Sequence, residues 1–182
     1  MALYTVDDYR SLPDDKRYEL IDGALFVMEA PSVNHQLLLV ELVAQFRECQ
    51  KRHKSSCTVI CAPCDVQLDG DEYTVLQPDL FVVCDREKLH RHVCYGAPDL
   101  TLEILSVSSR SHDSVRKLAK YKKAGVKEYW LVDPENRTVI VYEFSGEGRF
   151  HVYSFSDRIP VGISGNTCEI DLSEIEKVLL DE

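Results

Sequence analysis

Two carboxylates stand where a strand pattern should be apolar. Asp79 lies in Gln77-Pro78-Asp79-Leu80-Phe81-Val82-Val83, and Glu103 in Leu100-Thr101-Leu102-Glu103-Ile104-Leu105. A carboxylate in such a run must be paired, bind a metal, or face solvent on a half-buried sheet. Each alone says little, because alternate strand positions face outward. Together, on neighbouring strands, they fit a site that holds a divalent cation through oxygen ligands, as Mg²⁺ prefers. Water held there can attack a phosphodiester while the metal stabilises the developing charge. That chemistry benefits from a cation beside the attacking water, and Lys117 is the candidate. Asp113, Lys117 and Tyr121 are spaced by four and share one helix face. A solvated surface helix with one salt bridge accounts for that spacing more simply. Glu19, in Tyr18-Glu19-Leu20-Ile21, and His35, in the first turn of a helix, are further candidates. From position alone, a solvent-facing strand Glu and a helix-start His with a local hydrogen bond are the simpler readings. Asp99 also follows a proline, but it stands where a strand begins, and Asp is common at such entries.

The elements that must position these residues follow from pattern. Thr5 precedes Val6-Asp7-Asp8-Tyr9-Arg10 and suits an N-cap with acids in the first turn. Asp22-Gly23 between Tyr18-Glu19-Leu20-Ile21 and Ala24-Leu25-Phe26-Val27 is a two-residue hairpin signal. From Pro31-Ser32, apolar Leu38, Leu39, Leu42, Val43 and Phe46 recur at helical spacing to about Lys51. Short strand-like runs follow at 57–61, 64–68, 80–84 and 100–105, and a helix is expected from about His112 to Ala124, closed by Gly125. Residues 128–132, 138–144 and 150–155 read as strands, and 171–180 as a last short helix. The order predicts an α/β or mixed α+β fold, with a mixed sheet covered by helices. One domain spanning 1–182 is expected, with a core over about 5–155 and an acidic C-terminal extension over 156–182.

The 182 residues carry a formal net charge of −10, with 45% hydrophobic and 29% charged residues. Those proportions exclude collagen-like, coiled-coil and wholly disordered chains. They also argue against a protein that coats nucleic acid non-specifically. No apolar run reaches the roughly 20 residues of a membrane helix, and Met1 to Arg10 has no apolar signal core. Seven cysteines, an odd count, fit a reducing cytoplasm. Cys61-Ala-Pro-Cys64, with Cys57 nearby, could suggest zinc or redox chemistry, yet no second CxxC exists and the following residues alternate like a strand. Small apolar side chains on strands are the simpler reading. Charge is uneven. Arg110 to Lys127 holds seven basic residues against Asp113, Arg47 to Lys54 holds four against Glu48, and 143–182 carries a net of −6. The basic segments could touch phosphate.

The ordered set of motifs resembles the PD-(D/E)xK, or restriction-endonuclease-like, nuclease superfamily, and within it the Uma-two branch. The resemblance runs through Tyr18-Glu19-Leu20-Ile21-Asp22-Gly23, Ala30-Pro31-Ser32 with His35, Gln77-Pro78-Asp79, Gly96-Ala97-Pro98-Asp99-Leu100 and Glu103-Ile104-Leu105-Ser106. It continues through Asp113, Lys117, Tyr121, Ala124-Gly125-Val126 and Glu128-Tyr129-Trp130-Leu131-Val132-Asp133-Pro134. It implies a mixed central sheet flanked by helices. It also implies Mg²⁺ or Mn²⁺ held by Asp79, Glu103 and the Ile104 carbonyl, with Glu19 as an additional acid. The superfamily lysine two residues after Glu103 is absent, since that position is Leu105; Lys117 matches the branch's substitute from the following helix. Val107 stands where proline is usual. Asp113 and Tyr121 would orient Lys117, and His35 would support the site. The activity implied is metal-dependent endonucleolytic cleavage of DNA by a cytoplasmic protein, as a homodimer where two strands are read. A nuclease-like fold that binds nucleic acid or protein without cleaving is the alternative.

Overall fold

The computed structural model describes residues 3–13, 15–68, 70, 72–106, 113–146 and 148–180, without the side chains of Asp113 and Ser114. The sequence reading at Val107 and Arg110 lies outside those residues, as does the Asp113 side chain.

Thr5 caps α1 (Val6–Arg10) in a capping box with Asp8. Strands β1 (Tyr18–Ile21) and β2 (Ala24–Val27) pair antiparallel around Asp22 and Gly23. Their φ values of +52° and +78° are the left-handed pair that such a turn requires. Ser32 accepts from the His35 amide and starts α2 (Val33–Arg52). The chain then forms β3 (Thr58–Cys61), β4 (Asp65–Gln67), β5 (Val75–Leu76), β6 (Leu80–Val83), β7 (Val93–Tyr95) and β8 (Leu100–Ile104). Helix α3 (Asp113–Ala124) follows, with Gly125 at φ +93° just beyond it. Then come β9 (Glu128–Asp133), β10 (Thr138–Glu143), β11 (Arg149–Ser154), β12 (Arg158–Pro160), β13 (Glu169–Asp171) and α4 (Leu172–Glu176).

The central sheet has six strands in the order β11-β10-β9-β8-β6-β3. It is mixed as expected: β8 and β9 run parallel, and its other pairs are antiparallel. A second sheet, β2-β1-β5-β4-β7, stands beside it, and β12 pairs with β13. Side-chain alternation on β8 divides the interior. Leu100, Leu102 and Ile104 pack with Leu38, Leu42 and Phe46 of α2. On the opposite layer, Phe81, Tyr129 and Leu131 of the central sheet meet Tyr121 of α3 and Val66 and Leu76 of the second sheet. The acidic C-terminal stretch contributes Ile159, Val161, Ile170, Leu172 and Ile175 to the α2 side of the core.

Strands β5, β7, β12 and β13 had no signal of their own. Each is two or three residues long, too short to establish an alternation, and exists because longer neighbours pair with it. The cysteines also depart from a uniform apolar reading. Cys49 pairs with Cys168, and Cys57 with Cys84. Cys94 is buried as a small apolar residue, whereas Cys61 is exposed and Cys64 half-buried.

Candidate active site

The β6–β8 register sets Leu80 opposite Leu102. Asp79 stands one residue before β6 and Glu103 one residue after Leu102, so the same register brings the two acids opposite each other at one end of the central sheet. Asp79 Oδ2 accepts from the Ile104 amide at 2.7 Å. Pro78, buried beside it, has no amide to satisfy, and this suits the break between β5 and β6.

Helix α3 brings its cation to this point. Lys117 Nζ lies 3.1 Å from Glu103 Oε1 and 2.9 Å from Glu19 Oε2. One turn on, the Tyr121 hydroxyl donates to the same Glu103 Oε1 at 2.8 Å. The spacing of four thus delivers two donors to one carboxylate oxygen. Lys117 is only 7% exposed and Glu19 only 4%, so the solvated-helix account of Lys117 and the solvent-facing account of Glu19 do not hold. Glu19 Oε1 accepts from the Gln77 amide at 2.8 Å, tying β1 to the residues that lead into Asp79. His35 reaches Asp79 from α2, with Nε2 3.2 Å from Oδ2. Leu105, at the position where the superfamily carries lysine, packs half-buried against the layer that holds Tyr121 and Tyr129.

Burial is the main cause of the titration behaviour here. It pushes the Glu103 carboxyl up to about 8; Lys117 pulls it back, while Glu19 and Asp79 push it further up. Burial alone would depress the Lys117 ammonium, but Glu103 and Glu19 more than offset that and hold it above the usual lysine value. Tyr121 and Tyr129 are held well above the ordinary phenol value, by burial first and Glu103 next. Tyr121 therefore stays a hydrogen-bond donor across the physiological range.

Three carboxyl groups gather around one ammonium, and any Glu103 proton must leave for all three to act as anionic ligands. Oxygen donors so placed suit a hard divalent cation, and Asp79 and Glu103 are the pair that could hold one. Lys117 Nζ stands between Glu19 and Glu103, and among the described residues no three His, Cys, Asp or Glu side chains converge as a preformed ligand set.

Several sequence candidates separate from this point. Asp99 accepts from the Cys84 amide and from Lys127 Nζ, both at 2.7 Å, and serves as a strand-entry anchor. Cys57 is paired with Cys84 and cannot join a zinc set with Cys61 and Cys64. Burial and then Asp65 push the Cys64 thiol up, which disfavours a redox thiolate. Much of the basic run is already engaged: Lys120 pairs with Asp22, Lys127 with Asp99, and Arg116 lies over the Phe26 ring. The basic residues after Arg47 sit at the end of α2 opposite His35. A cavity of about 520 Å³, lined by Tyr9, Arg10, Asp65, Gln67, His90 and Tyr95 among others, holds none of the three carboxylates. No residue type points to the Gln77 amide on Glu19, since a backbone donor has no residue signature. Nor does Tyr129 stand out, though its buried hydroxyl has no hydrogen-bond partner among the described residues.

A family model described as "Putative restriction endonuclease" matches residues 6–165. The chain is 26% identical over 161 residues to the uncharacterized protein slr1290 of Synechocystis sp., covering 86% of this chain and 83% of that one. The crystal structure of a "putative nuclease belonging to DUF820" from Anabaena variabilis matches with a TM-score of 0.78 at 23% identity, over 97% of this chain and 99% of that one. That likeness shows a shared fold. The family match runs from α1 to the turn beyond β12, and the chain therefore belongs to the Uma2 family.

Proposed function

We propose that the protein is a divalent-metal-dependent DNA endonuclease that hydrolyses phosphodiester bonds. One observation carries the reading: Lys117, displaced to α3 from the position after Glu103, still sets its ammonium 3.1 Å from Glu103. Acid, acid and lysine thus meet although the lysine's spacing from Glu103 along the chain is altered. Asp79, Glu103 and the Ile104 carbonyl would hold Mg²⁺ or Mn²⁺, and Glu19 would steady it through water or directly. The cation, when bound, supplies Lewis acidity and an activated water. Lys117 neutralises charge that develops on the phosphoryl oxygens, in a site too buried for solvent to screen it. Tyr121 fixes Glu103 Oε1 and leaves Oε2 free to face the cation. Asp113, one turn before Lys117, would help to orient it. Two chains related by a two-fold axis would address both strands of a duplex.

Glu103→Gln tests this reading. It removes the charge, keeps the shape and keeps an oxygen for the Tyr121 hydroxyl. Cleavage of plasmid DNA in Mn²⁺ is expected to fall by at least about a hundredfold, which corresponds to about 2.7 kcal/mol of transition-state stabilisation. The circular dichroism spectrum should be retained. Undiminished cleavage by this variant overturns the assignment. A folded wild-type protein that binds DNA equally with and without Mn²⁺ and never cuts it favours the binding-module alternative.

A further inference from the structure

His35 is held more firmly than a surface histidine. The Ser32 hydroxyl oxygen accepts from its amide at 3.2 Å, fixing the first turn of α2. The neighbouring Asn34 side chain both accepts from the Leu180 amide and donates to the Leu180 carbonyl, clamping that turn from the C-terminal segment. The imidazole itself is 12% exposed. Its Nδ1 is sealed from solvent with no hydrogen-bond partner among the described residues. Its Nε2 faces Asp79 Oδ2 at 3.2 Å. A buried N–H without an acceptor costs free energy, so the ring proton belongs on Nε2, where an acceptor waits.

Two nitrogens therefore stand at one oxygen of Asp79: the Ile104 amide donates to it at 2.7 Å, and His35 Nε2 lies 3.2 Å from it. Both nitrogens face Oδ2, and Oδ1 has no hydrogen-bond partner among the described residues. We propose that His35 is a positioning residue for cation binding: by donating from Nε2 it locks the Asp79 carboxylate in one rotation and presents Oδ1 alone as the ligand atom. This rests on the metal-dependent reading above. It assigns His35 no contact with substrate, since its other nitrogen is buried. Groups that orient metal ligands typically change affinity 10- to 100-fold when removed.

Side-chain geometry makes the idea separable from a packing role. Glutamine places its amide nitrogen two bonds beyond Cγ, as histidine places Nε2. Asparagine reproduces Nδ1 instead, and leucine fills volume without a donor. Mn²⁺ titration by calorimetry is the readout, with thermal melts confirming that each variant is folded. His35→Leu and His35→Asn are expected to weaken Mn²⁺ binding by about 10- to 100-fold, and His35→Gln should restore it to within a few-fold of wild type. Nitrogen NMR of the metal-free protein should find the proton of His35 on Nε2. Equal Mn²⁺ affinity in wild type and His35→Leu overturns the role of His35 while leaving the metal site standing. Rescue by asparagine rather than glutamine also overturns it. Absence of saturable Mn²⁺ binding in wild type, or binding unaffected by Asp79→Asn, overturns the metal reading and this inference with it.

Discussion

Lys117 is a buried cation whose ammonium Glu19 and Glu103 hold above the usual lysine value against the effect of burial. Lys117→Met keeps the aliphatic stem and removes the charge, leaving two acids in an apolar layer. Breaking a buried pair in this way costs about 3–5 kcal/mol, or roughly 6–20 °C in melting temperature for a domain of this size. A cation entering at the carboxylates substitutes for the ammonium, so Mn²⁺ should recover much of that loss. Adding Glu19→Gln should recover part of it without metal. Melts with and without Mn²⁺ decide the point; a deficit that Mn²⁺ leaves untouched means that no cation enters. Glu103 sets the pH response. Its carboxyl titrates near 8 when folded, against an ordinary 4.5. Between those values the folded metal-free protein keeps a proton that the unfolded chain has released, so the contribution of Glu103 to stability is full below 4.5 and is lost as pH rises through 8. Cation binding must expel that proton. Mn²⁺ affinity should therefore climb over the same interval and level off above it. Calorimetry in buffers of differing ionisation enthalpy should register the proton released.

At the scale of elements, the β1–β2 hairpin decides where Glu19 stands. Gly23 has φ +78°, and a Cβ there would meet the Leu3 Cβ at 2.7 Å. Gly23→Ala is expected to cost about 1–2 kcal/mol from the left-handed backbone alone, lowering the melting temperature by roughly 2–8 °C. Glu19 Oε1 remains tied to the Gln77 amide, so Mn²⁺-dependent cleavage by the folded fraction should persist; loss of cleavage with an unchanged melt would contradict this. This hairpin was legible because Asp-Gly reports a conformation directly. The long helix α2 was legible from its apolar period, and the acids on β6 and β8 from the interruption they make in apolar runs. From residue pattern alone the α3 contribution was legible only as a spacing of four, which a surface helix shares; the family resemblance is what pointed to Lys117. What separates the two cases is burial of Lys117, and burial depends on the second sheet covering that face. The second sheet joins the β1–β2 hairpin to β4 only through β5 and is edged by β7, both too short to carry a pattern, and the backbone amides of Gln77 and Ile104 that hold Glu19 and Asp79 leave no trace in side-chain chemistry. The strands and the acids were therefore readable in one dimension, whereas their closure around a lysine was not.

Across the whole molecule, a net charge of −10 opposes contact with a polyanion, so the placement of unpaired bases matters more than their number. In α3, Lys117, Lys120 and Lys127 just beyond the helix are spent on internal acids. Lys122 and Lys123 are exposed in the last turn, about 8–9 Å along the helix axis from Lys117. Lys51 and Lys54 are also exposed, but α2 has 20 residues and is about 30 Å long, with His35 near its start and these lysines near its end. A phosphate track centred on Asp79 and Glu103 can use the first pair and not the second. The salt dependence of DNA binding measures this, because each phosphate contact adds about 0.9 to the slope of log affinity against log salt. With EDTA present to prevent cleavage, wild-type binding to a short duplex should be weak and salt-sensitive. Lys122→Ala with Lys123→Ala should lower the slope by about 1.8, and Lys51→Ala with Lys54→Ala should leave it unchanged. The reverse pattern would move the nucleic-acid face to the far end of α2, and the carboxylate site would then have no claim on the scissile phosphate.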